Sequence, residues 1–304
     1  MSGDGFRLPN STPEKIDKII NRSYDFIDSG IWSGITLERL DTWFHSFKTD
    51  EEKYLAVKIL ESLVYRSEEQ TIALAKQLFQ RVLPDLLIGT PYDKHRAEWL
   101  DIFGDREFDA TSRCQYRLVP IIRTNDPPTK SGPALARLYK RQLQFNEHLM
   151  IWPWQIGEEI EQGQKLFLFI DDFLGTGKQF VKFYKKYAIS KYGSDIEFVY
   201  LPLAAHEKGV SKVRELCKNI KIGTAELLVD KTNNFFNGFD DTNSDAAAKD
   251  FYIKTSNKYL GLSSDSTLGY GKLSVTYAFE HATPNASVPL LWGNGKSFKC
   301  LLRR

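Results

Sequence analysis

Two adjacent carboxylates and a glycine-rich turn stand close together near the middle of this chain. Asp171 and Asp172 follow the apolar run 166–170, and after two more apolar residues comes the Gly-Thr-Gly-Lys turn 175–178. The apolar run predicts a buried strand, and the spacing after the turn predicts an amphipathic helix. Backbone N–H groups and the dipole at a helix start favour a bound phosphate. Carboxylates repel phosphate, so Asp171 and Asp172 suit sugar hydroxyls, a Mg²⁺ ion, or both.

Two other kinds of turn could account for this run. A Walker A loop needs glycine five positions before its Gly-Lys pair and Ser or Thr after it. This chain has Asp172 and Gln179 at those positions, so that motif is rejected. A plain strand-to-helix turn with solvated or helix-capping acids remains open, because Asp is a common cap.

The same residues resemble the phosphoribosyl pyrophosphate (PRPP) motif of type I phosphoribosyltransferases. The resemblance implies that Asp171 and Asp172 are catalytic residues facing the ribose hydroxyls. It assigns the loop that binds the ribose 5-phosphate to Gly175, Thr176, Gly177, Lys178 and Gln179. The family usually ends this loop with Thr or Ser, whereas Gln179 offers an amide N–H. The resemblance also implies Mg²⁺ as a cofactor, without naming residues that ligate it.

A narrower resemblance links the last two-thirds of the chain to the phosphoribosyltransferase-like proteins of bacterial conflict and anti-phage systems. It is carried by residues 279–285, which include Thr-Pro-Asn, by the apolar-Trp segment 288–292, and by a Ser-Gly turn at Ser131-Gly132. This resemblance implies an N-terminal helical region, a role as effector or regulator in defence, and a protein partner in a defence complex.

A second anion-binding turn is predicted upstream of the acidic pair. The strand candidate 116–122 leads through a Pro-rich loop into a helix predicted over 133–145. In the type I family an early loop of this kind contacts pyrophosphate, so the resemblance points to Lys130, Ser131 and Gly132, with Arg123 as a further candidate. The alternative is a Pro-rich connection that carries a solvated lysine.

The alternation of strands and helices predicts an α/β fold with a mostly parallel sheet flanked by helices, like that of phosphoribosyltransferases. Four amphipathic helices, which open near residues 12, 36, 50 and 67, predict an N-terminal helical module. We therefore divide the chain into a module over residues 1–90 and the α/β domain over 91–304. Residues 231–250 are predicted to form a long surface loop over the site, and 273–279 a late strand.

Composition restricts the setting of the protein. The 304 residues carry a net charge of +2, which does not indicate a nucleic-acid partner, although a lysine patch after the turn is a local exception. That patch comprises Lys178, Lys182, Lys185 and Lys186. The cysteines at 114, 217 and 300 form neither a disulfide framework nor a zinc pattern. The chain has no apolar run of membrane length, so we expect a cytoplasmic protein with no membrane partner.

These features predict a protein that binds PRPP or a related ribose-phosphate nucleotide as its small-molecule partner. If it is an enzyme, the reaction is pentosyl transfer with release of pyrophosphate. The acceptor is not identified, and the candidate acids or bases His206, Asp230, Glu280 and His281 could equally be structural. The alternatives are a non-catalytic module that senses a nucleotide or binds a partner, and a purely structural partner protein.

Overall fold

The computed structural model describes residues 5–95, 99–104, 116–127, 131–237, 239, 243–263 and 266–304. Contacts divide the chain into two compact units. The first comprises Met1–Gln70 and Val229–Arg304, and the second comprises Thr71–Leu228. Among the described helices, none combines the length and the apolar character needed to cross a membrane.

The helices and strands follow one another along both units. The helices are α1 (Thr12–Asp28), α2 (Leu37–Phe44), α3 (Asp50–Ser62), α4 (Glu68–Gln77), α5 (Leu83–Leu86), α6 (Trp99–Gly104), α7 (Ser131–Gln142), α8 (Ile156–Glu161), α9 (Lys178–Lys186), α10 (Glu207–Leu216), α11 (Asp230–Asn233) and α12 (Asp245–Leu260). The strands are β1 (Val64–Arg66), β2 (Tyr116–Pro120), β3 (Leu166–Leu174), β4 (Glu197–His206), β5 (Ile220–Ile222), β6 (Glu226–Leu228) and β7 (Tyr277–Phe279).

The predicted helix starts in the N-terminal region are confirmed. The Thr36 hydroxyl accepts a hydrogen bond from the backbone N–H of Arg39 and so caps α2. Thr49 and Glu52 form a reciprocal capping box at the start of α3. Such caps satisfy backbone donors that have no partner inside the helix, which explains why these starts could be read from the sequence.

In the first unit, the prediction of a surface loop over 231–250 is wrong for the described residues of that segment. Phe235, Phe236 and Phe239 are buried in the same hydrophobic core as α1–α3, and α12 begins at Asp245. Burial of these three large aromatic side chains stabilises the segment. The surrounding Asn- and Asp-rich composition concealed their apolar character as a group. The late strand predicted over 273–279 is confirmed for its last three residues as β7, which pairs in parallel with β1 in this unit.

The second unit contains the parallel sheet that the sequence predicts. Its strands run in the order β2-β3-β4-β5, and β6 pairs with the later part of β4. Helices α9 and α10 supply Phe180, Phe183 and Val213 to the core on one face of this sheet. The rings of Phe79, Phe103, Tyr139 and Phe145 pack together in a second aromatic cluster, which includes Tyr116 of β2. The α/β class with a mostly parallel sheet is thus confirmed.

The chain changes direction across the sheet between β2 and β3. Leu118 of β2 forms a parallel bridge with Met150, and it also pairs with Leu168 of β3. Residue 150 therefore lies beside the outer edge of β2, while β3 lies beside the inner edge. Open α/β sheets bind ligands outside the carboxyl ends of their strands at such a reversal of strand order. The loops that follow β2 and β3 flank this point.

The two units differ from the division at residue 90 that the sequence suggests. Residues 229–304 cluster with the N-terminal helices rather than with the parallel sheet. The buried residues Leu290, Leu291 and Phe298 share one core with Trp43 and Phe47, which accounts for this clustering. A functional division into a 1–90 module and a 91–304 domain stays a prediction.

Candidate functional site

The acidic pair lies inside β3 rather than after it. The strand continues to Leu174 because its pairing with β4 continues, with Phe173 opposite Ala204 and Leu174 opposite Ala205. Asp171 is 3% exposed and Asp172 is 8% exposed. Buried carboxylates are rare unless hydrogen bonds or a cation compensate the lost hydration. The sheet therefore holds two carboxyl groups at its carboxyl edge at a cost in stability.

Hydrogen bonds fix the orientation of both carboxyl groups. The Tyr200 hydroxyl of β4 donates to Asp171 Oδ2 at 2.8 Å, and the backbone N–H of Asp172 donates to Asp171 Oδ1 at 3.1 Å. Asp172 Oδ1 accepts from the backbone N–H of Phe173 at 2.8 Å. The Tyr200 ring is itself held by stacking on Phe180, with ring centroids 3.8 Å apart. The pair is thus preorganised by neighbouring elements.

The surroundings of Asp171 disfavour its charge. Burial raises the pKa of this carboxyl well above its usual range, and the neighbouring charge of Asp172 raises it further. The hydrogen bond from Tyr200 opposes this shift, because it stabilises the ionised form. A cation or a hydrogen-bonding ligand at the pair would favour ionisation. Strongly shifted pKa values of this kind are concentrated at functional sites.

A second tyrosine approaches the acidic pair from α7. Tyr139 is fully buried, and its hydroxyl has no hydrogen-bond partner among the residues that the structure describes. Burial raises the pKa of Tyr139, and the charges of Asp171 and Asp172 raise it further. The pair therefore has a tyrosine on β4 and another on α7.

Sequence reasoning missed both tyrosines. Tyr200 lies in the apolar run of β4, where it reads as one more buried residue. Its role depends on the register that places Tyr200 opposite Phe169, two residue pairs before Asp171. Tyr139 lies on a helix that is remote in sequence from the pair. A hydroxyl inside an otherwise apolar strand was the one available signal, since buried tyrosines usually need a partner for their O–H group.

The glycine turn after β3 leads directly into a helix start. Gly177 has a φ of +76° and precedes α9, whose first residues are Lys178 and Gln179. Gly209 of α10 packs against this turn so closely that an added Cβ would lie 2.2 Å from the Gly175 carbonyl oxygen. Glycines on both sides thus let the backbone turn sharply beside α10. The five predicted phosphate-loop residues are therefore together at the start of a helix.

The upstream turn also leads into a helix start. Ser131 and Gly132 are the first residues of α7, which begins two residues earlier than predicted. An added Cβ on Gly132 would lie 3.0 Å from the Ile121 carbonyl oxygen, so the helix start is pressed against the end of β2. Lys130 lies outside the described residues. Arg123 forms a two-pronged pair with the Asp126 carboxylate, which occupies its guanidinium.

The four candidate acids or bases separate into two groups. His206 ends β4 in the second unit, is fully buried, and its Nδ1 accepts from the backbone N–H of Lys208, which gives it a capping role at α10. Asp230, Glu280 and His281 belong to the first unit. The Glu280 carboxylate accepts hydrogen bonds from the Ser33 hydroxyl and from the backbone N–H of Glu68. No observation assigns proton transfer to any of them.

The acidic pair offers part of a metal site. Within the described part of the chain there is no cluster of three or more His, Cys, Asp or Glu side chains suited to a metal ion. Mg²⁺ is commonly held by one or two carboxylates together with substrate phosphates and water. Two adjacent carboxyls, one with a raised pKa, fit that mode of binding because a cation would relieve their mutual repulsion.

Comparison with known proteins places this geometry in context. The sequence model of the family PRTase-CE matches residues 40–304, which include every residue of the site described above. No curated protein matches the chain.

Proposed function

This chain belongs to the PRTase-CE family, a phosphoribosyltransferase-like family, and we propose that it binds PRPP or a related ribose-phosphate nucleotide in its second unit. In this proposal, Asp171 and Asp172 face the ribose hydroxyls. The loop 175–179 surrounds the 5-phosphate with backbone N–H groups, the Thr176 hydroxyl and the Lys178 ammonium group.

One observation carries this proposal. A buried carboxylate pair, oriented by Tyr200, lies directly before a left-handed glycine turn that opens a helix. The carboxylates accept hydrogen bonds from hydroxyl groups, and the helix start attracts a phosphate. Both lie at the carboxyl edge of β3, beside the reversal of strand order where open α/β sheets bind ligands. A molecule with a polyol and a phosphate at its two ends satisfies both halves.

The chemistry would follow from this arrangement. The bond between the ribose anomeric carbon and pyrophosphate breaks, a bond to the acceptor nucleophile forms, and the acceptor loses a proton. Positive charge develops on the ribose ring, and the carboxylates of Asp171 and Asp172 would stabilise it electrostatically. Bound Mg²⁺ would neutralise the charge of the pyrophosphate. The protein contributes chiefly by positioning the reactants.

The upstream helix start is the proposed pyrophosphate contact. Ser131 and Gly132 open α7 next to the end of β2, so their backbone N–H groups and the Ser131 hydroxyl can meet a second anion. Lys130 would add a positive charge. In this proposal, each of the two loops that flank the strand reversal binds one anion.

Calorimetric titration of PRPP with Mg²⁺ into the full chain tests the proposal. We expect binding to wild type and its loss in Asp171→Asn/Asp172→Asn. The variant Asp195→Asn/Glu215→Gln removes the same charge at exposed positions of the second unit and should bind as wild type does. Equal binding by wild type and the Asp171/Asp172 variant would refute the assignment, as would absence of binding to wild type.

A non-catalytic nucleotide-sensing module is the second candidate function. The observation that favours it is Gln179, which is exposed at the second position of α9, where the related motif has a hydroxyl residue. Such a protein would bind PRPP without turnover. Pyrophosphate release from PRPP in the presence of nucleobase, amine or nucleotide acceptors would exclude this candidate.

We also propose, on the resemblance of residues 279–292 and of the Ser-Gly turn, that the protein acts as an effector or regulator in bacterial anti-phage defence with a protein partner. Expression of this protein together with its partner in a phage-sensitive host should lower the efficiency of phage plaque formation. Asp171→Asn/Asp172→Asn should abolish this protection, whereas Asp195→Asn/Glu215→Gln should retain it. Equal protection by both variants would separate any defence role from the ribose-phosphate site.

A further inference from the structure

Two tryptophans form an exposed aromatic platform in the second unit. Trp152 and Trp154 are 43% and 50% exposed. Their rings lie 5.2 Å apart between centroids and only 6° from parallel. Apolar side chains scattered singly on a surface need no explanation, but a stacked pair of large exposed rings is typical of an interaction site.

The platform is rigid and is anchored on the sheet. Ile151 is buried, and its backbone N–H donates to the Leu118 carbonyl at 2.9 Å. Pro153, which separates the two tryptophans in the sequence, is buried, and the Gln155 side chain accepts from the Trp152 backbone N–H at 2.8 Å. Little conformational entropy would therefore be lost when a ligand stacks on these rings.

The position of the platform follows from the parallel bridge. Since Met150 pairs with Leu118, Trp152 is level with Pro120, the last residue of β2. Pro120 is in turn opposite Ile170 of β3. At the usual strand separation the backbones of Trp152 and Ile170 are about 10 Å apart. The platform thus lies at the same carboxyl edge of the sheet as the acidic pair.

A basic cleft is lined by the loop that follows β2 and by α9. It has a volume of about 450 Å³ and is lined by Arg123, Thr124, Asn125, Lys182, Lys185 and Lys186. Asp126 compensates the charge of Arg123. The three lysines lie on exposed positions of α9, and none of them forms an ion pair with a described residue. Among the described residues, the lining of the cleft therefore keeps three uncompensated positive charges and includes no acidic side chain.

We propose that the platform and the cleft together bind single-stranded nucleic acid. The lysines meet the phosphates, and the tryptophans stack on bases. Proteins that bind single strands without sequence preference combine a positively charged groove with aromatic rings on which bases stack. The cleft and the platform supply these two features. Arg123 follows Pro120 by three residues, and Trp152 is beside Pro120, so their backbones lie within about 15 Å of each other. An acidic protein would use the cleft, but it carries no flat bases to stack on two parallel rings, whereas every base of a single strand can stack on them.

This inference goes beyond the proposed ribose-phosphate site and does not depend on it. Neither the platform nor the cleft includes Asp171 or Asp172. The Asp171→Asn/Asp172→Asn variant should therefore bind a single strand as wild type does, even if PRPP binding is lost or was never present.

Fluorescence anisotropy with a labelled 12-nucleotide polyuridine and the full chain tests the proposal. We expect binding that weakens by about 5- to 150-fold for each stacked base lost in Trp152→Ala or Trp154→Ala. In Lys182→Gln/Lys185→Gln/Lys186→Gln the dependence of log affinity on log salt should become shallower by about 2, since each phosphate contact contributes about 0.7 on a single strand.

Matched controls separate a defined surface from general charge attraction. The triple variant Lys18→Gln/Lys249→Gln/Lys299→Gln removes the same charge at exposed positions of the first unit and should bind as wild type does. An equal loss of affinity in the two triple variants would refute the role of the cleft in binding. Unchanged affinity in both tryptophan variants would refute the role of the platform. Displacement of the oligonucleotide by polyglutamate at equal charge concentration would indicate an acidic protein partner and refute the proposal.

Discussion

The hydrogen bond from Tyr200 to Asp171 can be tested by removing one oxygen atom. Tyr200→Phe keeps the ring and its stacking on Phe180 but leaves Asp171 Oδ2 without its donor. A hydrogen bond to a charged group contributes about 1.5–3 kcal/mol, and one between neutral groups about 0.5–1.5 kcal/mol. Because Tyr200 stabilises the ionised carboxyl, its removal should cost more at a pH where Asp171 is ionised than at pH 4.

Tyr139→Phe is a matched control in the same unit. It makes the identical chemical change next to the same acidic pair, but its hydroxyl has no hydrogen-bond partner among the described residues. Burial of an unpaired hydroxyl is unfavourable, so this variant should be as stable as wild type or more stable. The two tyrosine variants should therefore differ by about 1–3 kcal/mol in the free energy of unfolding.

Hydrogen-exchange mass spectrometry of peptides from β3 and β4 is the appropriate assay, because it reports the local opening of the second unit alone. Tyr200→Phe should lower protection in these peptides, increasingly so as the pH rises. Equal protection in Tyr200→Phe and Tyr139→Phe, or a loss independent of pH, would refute the account of how Asp171 is held.

Three further predictions concern stability. The pKa of Asp171 is raised in the folded state, so its contribution to stability is full below the unfolded pKa of about 3.9 and is lost as the pH rises through the folded pKa. In urea titrations, Asp171→Asn should therefore be more stable than wild type at pH 8 but not at pH 3.5. The pKa of Glu52 is shifted in the opposite direction. Burial raises it, but hydrogen bonds from Lys258, Tyr259 and two backbone N–H groups outweigh burial and lower it. Glu52→Gln should therefore lower the free energy of unfolding by about 1.5–3 kcal/mol at pH 7 and by less at pH 3. Gly209→Ala should destabilise the second unit by about 1–3 kcal/mol in thermal unfolding and should weaken phosphate binding, because the added Cβ would displace Gly175. Gly157→Ala is the control: its added Cβ meets only ordinary contact, so neither stability nor phosphate binding should change.

Local patterns in the sequence were sufficient to predict much of the fold. The capping residues Thr36 and Thr49 act through neighbours three positions away, and the apolar runs of β3 and β4 mark buried parallel strands by composition alone. Phe235 and its neighbours were assigned wrongly because burial depends on contacts distant in sequence, which a polar local composition conceals. The clustering of residues 229–304 with the N-terminal core likewise depends on contacts that are distant in sequence.

The candidate site shows the same contrast between local and distant determinants. Asp171, Asp172 and the glycine turn are contiguous in sequence, so their pattern was visible. Tyr200 depends on the register between β3 and β4, and a shift of one residue would turn its side chain to the other face of the sheet. Trp152 and Trp154 acquire their position through a single bridge at Leu118. These contributions could be identified only once the pairing of strands was known.

The burial of Asp171 argues for a ligand-binding role over a structural one. A structural carboxyl, such as that of Glu52, is surrounded by enough donors to lower its pKa, and it stabilises the fold at neutral pH. Asp171 has a tyrosine donor and a backbone donor, faces a second carboxyl, and has a raised pKa. Burial of such a group costs free energy unless a cation or hydroxyl groups from outside the chain complete its surroundings. A ligand that does so would bind more tightly because it removes this cost, and it should also raise the thermal stability of the second unit.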